Sequence, residues 1–167
     1  DDVSGTDDGI YANHAGTGTQ TVTVTGTVTG GSLSGNSGID TRTGSGGTTN
    51  ITLNFGAAVS ATSGTAILND AGNSTTTVNA GASVAGAISL GDGADNLIFN
   101  NGDFSGVTSF DGGAGTDSVT FRNATATVAG GDVVNMENVT VGSGGNISVS
   151  GALDANVTVN SNGTFGG

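Results

Sequence analysis

The chain has no cysteine, no proline, no tryptophan and no lysine; Arg42 and Arg122 are its only cations and His14 its only histidine. Without cysteine there is no disulfide scaffold and no Cys/His metal spacing, and thiols say nothing about export. Without proline, every strand keeps its N–H groups, as a chain of interior strands requires. A net charge of −12 makes nucleic acid and anionic membrane surfaces poor partners. No apolar run approaches the ~20 residues of a bilayer-spanning helix, so membrane insertion of this segment is not expected. Hydrophobic residues make up only 34 % and are mostly small, which argues against a broad globular core. With 33 Gly among 167 residues, composition alone would suggest disorder.

Periodicity argues otherwise. Two segments, Gly91 to Phe99 (GDGADNLIF) and Gly112 to Phe121 (GGAGTDSVTF), share one grammar: a glycine turn, an Asp, then a short apolar strand. Asp95 and Asp117 lie 22 residues apart, as do Gly93 and Gly115, and Leu97 and Val119. Such an offset marks a chain winding into stacked coils.

The pattern apolar–x–apolar extends the count along the chain. It begins at Val22, Ile51, Thr76, Leu97, Val119, Val139 and Val157, in steps of 29, 25, 21, 22, 20 and 18 residues. A second ladder runs Ile10, Ile39, Ile67, Ile88, Phe110, Val133, Leu153; a third runs Val28, Val59, Val84, Val107, Val128, Ile147, Phe165. Three ladders imply a tube with three inward strips. Glycine-rich clusters such as Gly44 to Gly47, Asp111 to Gly113 and Gly142 to Gly145 punctuate them where turns need positive φ. Helical periodicity is absent.

Energetics explain why the coils must stack. Ordering ~20 residues costs ~1–2 kcal/mol each in backbone entropy, whereas each buried aliphatic side chain returns only ~1.5–3 kcal/mol. A lone coil cannot stand; a stack adds a hydrogen-bond ladder and closes the apolar strips.

The expected fold is all-β: a single right-handed parallel β-helix (β-solenoid) of about seven coils of 18–29 residues, with three short strands per coil. One domain covers 1–167, with longer coils and protruding loops over 1–80 (Gly30 to Gly38, Asp40 to Asn50) and leaner coils over 81–167. Asp1 is not a natural initiating residue, so a processed or excised piece of a larger protein is expected.

The runs Val78 to Phe99, Phe110 to Phe121, Val133 to Leu153 and Asn156 to Gly167 resemble the passenger region of bacterial autotransporters. The resemblance implies a β-helical module exported by type V secretion through an outer-membrane β-barrel. It further implies a location at the bacterial cell surface or outside the cell. The function it implies is that of a stalk, biofilm factor or adhesin, with a host or cell-surface protein or glycan as receptor.

Gly112 to Thr120 also matches the calcium-binding nonapeptide of RTX proteins, and Leu90 to Ile98 matches apart from Leu90 in place of the first glycine. Parity places Asp95 beside Leu97 and Asp117 beside Val119, so both carboxylates should point inward. Stacked ~5 Å apart, they repel by ~3 kcal/mol at an effective dielectric of 20. Calcium between the turns would offset this, with Asp95, Asp117, Asp92 and Asp111 as its ligands. The simpler alternative is that each Asp accepts hydrogen bonds from N–H groups of its own glycine turn. Glu137 continues the acidic column and Ala155 ends it. No cofactor is required by this reading.

Outward positions form columns of their own: Thr23, Thr52, Thr77, Ile98, Thr120, Thr140, Thr158, flanked by Thr21, Asn50, Thr75, Asn96, Ser118, Asn138, Asn156. A flat threonine array can serve as an ice-binding face, but Thr and Asn are also ordinary solvent-side strand residues, and Ile98 and Arg122 interrupt the array. Catalysis is not expected. His14 sits beside small residues near the start, no G-x-S-x-G elbow occurs, and no acid–base cluster stands out. N-x-S/T triplets at Asn50, Asn138 and Asn156 follow from abundant Asn and Thr. Two functions are compared: a non-catalytic structural or adhesive rod, and a fibre subunit stacking head to tail through its open strand edges.

Overall fold

The computed structural model describes residues 2–167, which wind into a parallel β-solenoid of seven coils. β-Branched Thr and Val at alternate positions suit a pleated strand buried on one face. The best-ordered wall is a seven-stranded sheet. Its strands are Thr19–Val24, Thr48–Leu53, Asn73–Asn79, Asn96–Asn100, Ser118–Arg122, Asn138–Val141 and Asn156–Val159, each parallel to the next. Register partners run Val22, Ile51, Thr76, Leu97, Val119, Val139, Val157 without a slip, as the spacing predicts.

The second ladder is realised as Ile10, Ile39, Ile67, Ile88, Phe110 and Val133. Leu153 packs against the core but belongs to no strand. The third holds through Val28, Val59 and Val84, then departs from expectation. Asp103 pairs with Ser83, which puts Phe104 in line with Val84, while Val107 pairs with Gly86 and is only half-buried. Lower down, Ile147 lies between Ala126 and Phe165, and Val128 pairs with Val149. Val107 and Val128 are therefore off the ladder. For Val107 the cause is two register shifts in Asp103–Asp111, which counting by period does not register, whereas at Val128 the rung in line with Ile147 is taken by Ala126.

In the middle coils two sides of the tube merge into long bent strands, Ala58–Asn69, Ser83–Ser89 and Asp103–Asp111. The extra residues of the early coils lie partly there. Of Gly30 to Gly38, residues 31–36 leave the wall, with Leu33 66 % exposed, while Gly30, Ser37 and Gly38 stay in strands. Asp40 to Asn50 is not a protruding loop. Ser37–Thr43 pairs with Ala58–Asn69, a turn covers 44–47, and Thr48–Leu53 enters the first sheet. Asp40 is fully buried, held by Arg42 at 3.0 Å, whose guanidinium also lies 5.5 Å from the Tyr11 ring centre.

Each later corner after the first sheet carries one residue at positive φ: Gly56, Gly81, Asn101, Asn123, Gly144 and Asn162. Asn and Gly are the two residue types that take this conformation readily. Four corners are hydrogen-bonded β-turns, closed by Ala57 to Asn54, Ala82 to Asn79, Gly145 to Gly142 and Gly163 to Asn160. The corners at Asn101 and Asn123 are one residue tighter. Along the corner edge, Asn79 donates to the Asn54 side-chain oxygen (3.1 Å) and Asn100 to that of Asn79 (3.2 Å), a three-rung amide ladder.

The core is aliphatic except at its middle, where Phe99, Phe104, Phe110 and Phe121 meet. Phe99 and Phe121 stack at 5.7 Å, one per coil, and Phe104 tilts against both at 4.8 and 5.0 Å.

Candidate functional site

The unusual chemistry lies inside the tube, at the entry to the first sheet. Two residues before each strand's first ladder position, the chain points inward again. The register lines up Gln20, Thr49, Ser74, Asp95, Asp117 and Glu137, one per coil, with Ala155 last. Sequence reasoning found the acidic half. It missed Gln20, Thr49 and Ser74, although the same parity applied to Val22, Ile51 and Thr76 would have found them.

The acidic rungs are bonded in series. Asp95 Oδ1 accepts the N–H of Ser74 at 2.5 Å, Asp117 Oδ1 accepts that of Asp95 at 2.9 Å, and Glu137 Oε2 accepts that of Asp117 at 2.7 Å. Each carboxylate thus reaches back one coil to an N–H at the bend, where the backbone ladder is interrupted. The donors are not those of its own glycine turn. Near the top of the column, Gln20 donates to Thr49 Oγ1 at 3.0 Å.

Asp95 and Asp117 are essentially fully buried, and Oδ2 of each has no hydrogen-bond partner. Burial raises the pKa of Asp95 against the opposing Ser74 hydrogen bonds, and the Asp92 charge adds to the rise. Burial likewise pushes Asp117 up to about 6 against the bond from Asp95 N–H, helped by the charges of Asp95, Glu137 and Asp111. Room for the Asp117 carboxyl comes from Gly112, where a Cβ would stand 2.7 Å from Asp117 Cβ and 2.8 Å from its Oδ2.

The structure brings Asp92 and Asp111 to the same corner, on the outside. Asp92 is exposed, in the short strand Asp92–Gly93 that pairs with Ala114–Gly115. Asp111 Oδ1 accepts the Gly113 N–H at 3.1 Å and the Asn135 side-chain amide at 2.8 Å. Among the described residues, no three His, Cys, Asp or Glu side chains converge as a metal cage. The arrangement observed is a hydrogen-bonded ladder with two free oxygens.

The outward Thr and Asn columns are in register across all seven strands of the first sheet, and Ser118 Oγ donates to Asn96 Oδ1 at 2.7 Å. His14 ends the exposed strand Ile10–His14, its Nε2 accepting the Gly18 N–H at 3.2 Å. Compared with known proteins, the chain matches no family model, no curated protein and no solved structure.

Proposed function

We propose that this chain is a non-catalytic, surface-exposed structural or adhesive rod of an exported bacterial protein. The observation that carries the reading is the first sheet: seven parallel strands in unbroken register, with an apolar ladder inward beneath the polar entry column and mostly Thr and Asn outward. That design spends its sequence on stiffness and a regular polar surface. Autotransporter passengers, which the glycine–aspartate coils resemble, use such rods to hold binding regions away from a cell, and Gly30 to Gly38 with exposed Leu33 is the segment placed to make contact.

The test has two arms. Proteinase K digestion of the purified chain should leave the coils intact while cutting within residues 31–36. Fluorescently labelled chain should then be retained by bacterial or host cells, and lose retention when Leu33 is changed to Ser. Rapid degradation of the coils removes the rod; retention unaffected by Leu33→Ser removes the assigned contact.

Head-to-tail fibre formation is the second reading, supported by Val157 and Val159, 38 % and 45 % exposed on the strand Asn156–Val159. A second copy's Thr19–Val24 would continue that ladder with Val22 and Val24. Sedimentation velocity across a hundredfold concentration range tests it, and a constant monomer value ends it. Calcium at the acidic corner is a lesser element, supported by the two free Oδ2 atoms and tested by chelation below. Ice binding rests on the threonine columns alone and is tested by thermal hysteresis.

A further inference from the structure

One wall of the tube is open. The strand Asp103–Asp111 bonds upward to Ser83–Ser89, and Thr125–Ala129 bonds downward to Asn146–Ser150, but the two do not pair with each other. They fall in separate sheets, although they follow one another in the winding. Their Cα traces stand more than 8 Å apart at nearly every position, where paired neighbours lie ~4.8 Å apart. Residues 103–109 and 125–129 therefore present unpaired edges to the gap, which closes at one end where Phe110 and Asp111 pair with Val133 and Val134. Two adjoining recesses, of about 270 and 250 Å³, line it and share Phe104, Ser105 and Ala126. Phe104, Phe110 and Val128 form the floor, and Asp103 and Asp132 stand at the two ends. No cation lines either recess.

We infer that this slot between Asp103–Asp111 and Thr125–Ala129 accepts an extended peptide as an inserted strand, with apolar side chains at alternate positions and a cationic residue at each end. Four observations select that occupant. The separation, beyond 8 Å at nearly every position, exceeds one strand spacing of ~4.8 Å, as insertion of a further strand requires. The facing edges offer main-chain donors and acceptors on both sides, so an extended segment can satisfy both of its own edges. The aromatic floor takes side chains that point inward, and period-two alternation returns the others to solvent. Asp103 stays ionised because the Ser105 N–H, 2.9 Å from Oδ1, holds its pKa below the usual carboxylate range; with Asp132 it favours Lys or Arg at the peptide ends. The inference stands on the coil geometry and does not depend on the secretion reading.

The test uses the intact chain and a fluorescein-labelled peptide, Lys-Val-Thr-Val-Thr-Val-Lys. Anisotropy should show saturable one-to-one binding. Replacing the central Val with Pro should weaken it at least tenfold, through loss of a main-chain donor and of extended geometry. Asp132→Lys should weaken the lysine-ended peptide several-fold and improve binding of a glutamate-ended one. In hydrogen exchange, alternate amides of residues 103–109 and 125–129 should exchange freely in the unbound chain and become protected by the peptide. No saturable binding below millimolar peptide, equal binding of the proline version, or full protection of those amides in the free chain would each overturn the inference. Protection that grows with protein concentration alone would assign the slot to a second copy and also overturn it.

Discussion

The first sheet and the split wall are built from the same residue types, yet one is continuous over seven strands and the other is interrupted after the strand Asp103–Asp111. Along the first sheet every strand enters at the polar column and keeps its register from coil to coil. On the split wall two register shifts carry Asp103–Asp111 away from a regular path, and the Phe104 ring fills the space behind it. The two coils that separate are also those with the tighter corners at Asn101 and Asn123. Continuity of this wall follows corner length and not strand propensity, since Ala58–Asn69 and Ser83–Ser89 stay paired across two register shifts of their own.

Truncating aromatic residues on the two sides should separate them most sharply. Phe121→Ala, on the continuous sheet and stacked on Phe99, should cost ~3–5 kcal/mol by the cavity it leaves. Phe104→Ala, at the open wall, should cost at least ~1 kcal/mol less, because the recess beside it already admits water. Urea unfolding with unchanged slopes measures both, and equal costs would mean that the wall is closed in solution.

The polar column gives the next effect. The folded pKa of Asp117, about 6, lies above the ordinary carboxylate value of 3.8, and burial shifts Asp95 the same way. A raised acid binds its proton more tightly when folded, so this stabilisation is fully present below pH ~3.8 and is lost as pH rises through about 6. The melting temperature should therefore fall by several degrees between pH 4 and pH 7, and Asp117→Asn should flatten that part of the profile. An unchanged slope in the variant would place the titration elsewhere.

Smaller still, Asn79→Ala removes the middle rung of the amide ladder, donor to Asn54 and acceptor from Asn100. A loss of about 1 kcal/mol is expected in the same urea experiment. The smallest effect is that of chelation. With the carboxylates already bonded to backbone N–H groups, EGTA should leave the melting temperature within about 1 °C, and a clear drop would establish a bound cation at Asp95 and Asp117.

The sequence made the first two ladders legible residue by residue, because period-two parity and a steady step act together there. The third ladder misled at Val107 and Val128. A valine at the right distance looks like a rung, whereas the bulge before Val107 and the Ala126 that takes the rung ahead of Val128 leave no mark in spacing. Asp40 to Asn50 read as loop because the early steps of 29 and 25 residues hold more chain than the later coils. In the fold Asp40 is buried with Arg42, and the chain stays in the wall. Asp95 and Asp117 were placed inward correctly, but which N–H groups they accept depends on the coil above. The split wall was invisible, since an unmade pairing between two strand-forming segments has no residue signature.

The recurring corner at Gly56, Gly81, Gly144 and Asn162 makes the windings that share it interchangeable units. Because six of the seven circuits leave the first sheet through one left-handed residue, removing or duplicating a circuit between corners of equal length, such as those at Gly56 and Gly81, rejoins like with like. Such a molecule can be lengthened or shortened in steps of one strand spacing, by unequal recombination in nature or by cloning, without a new joint having to be invented.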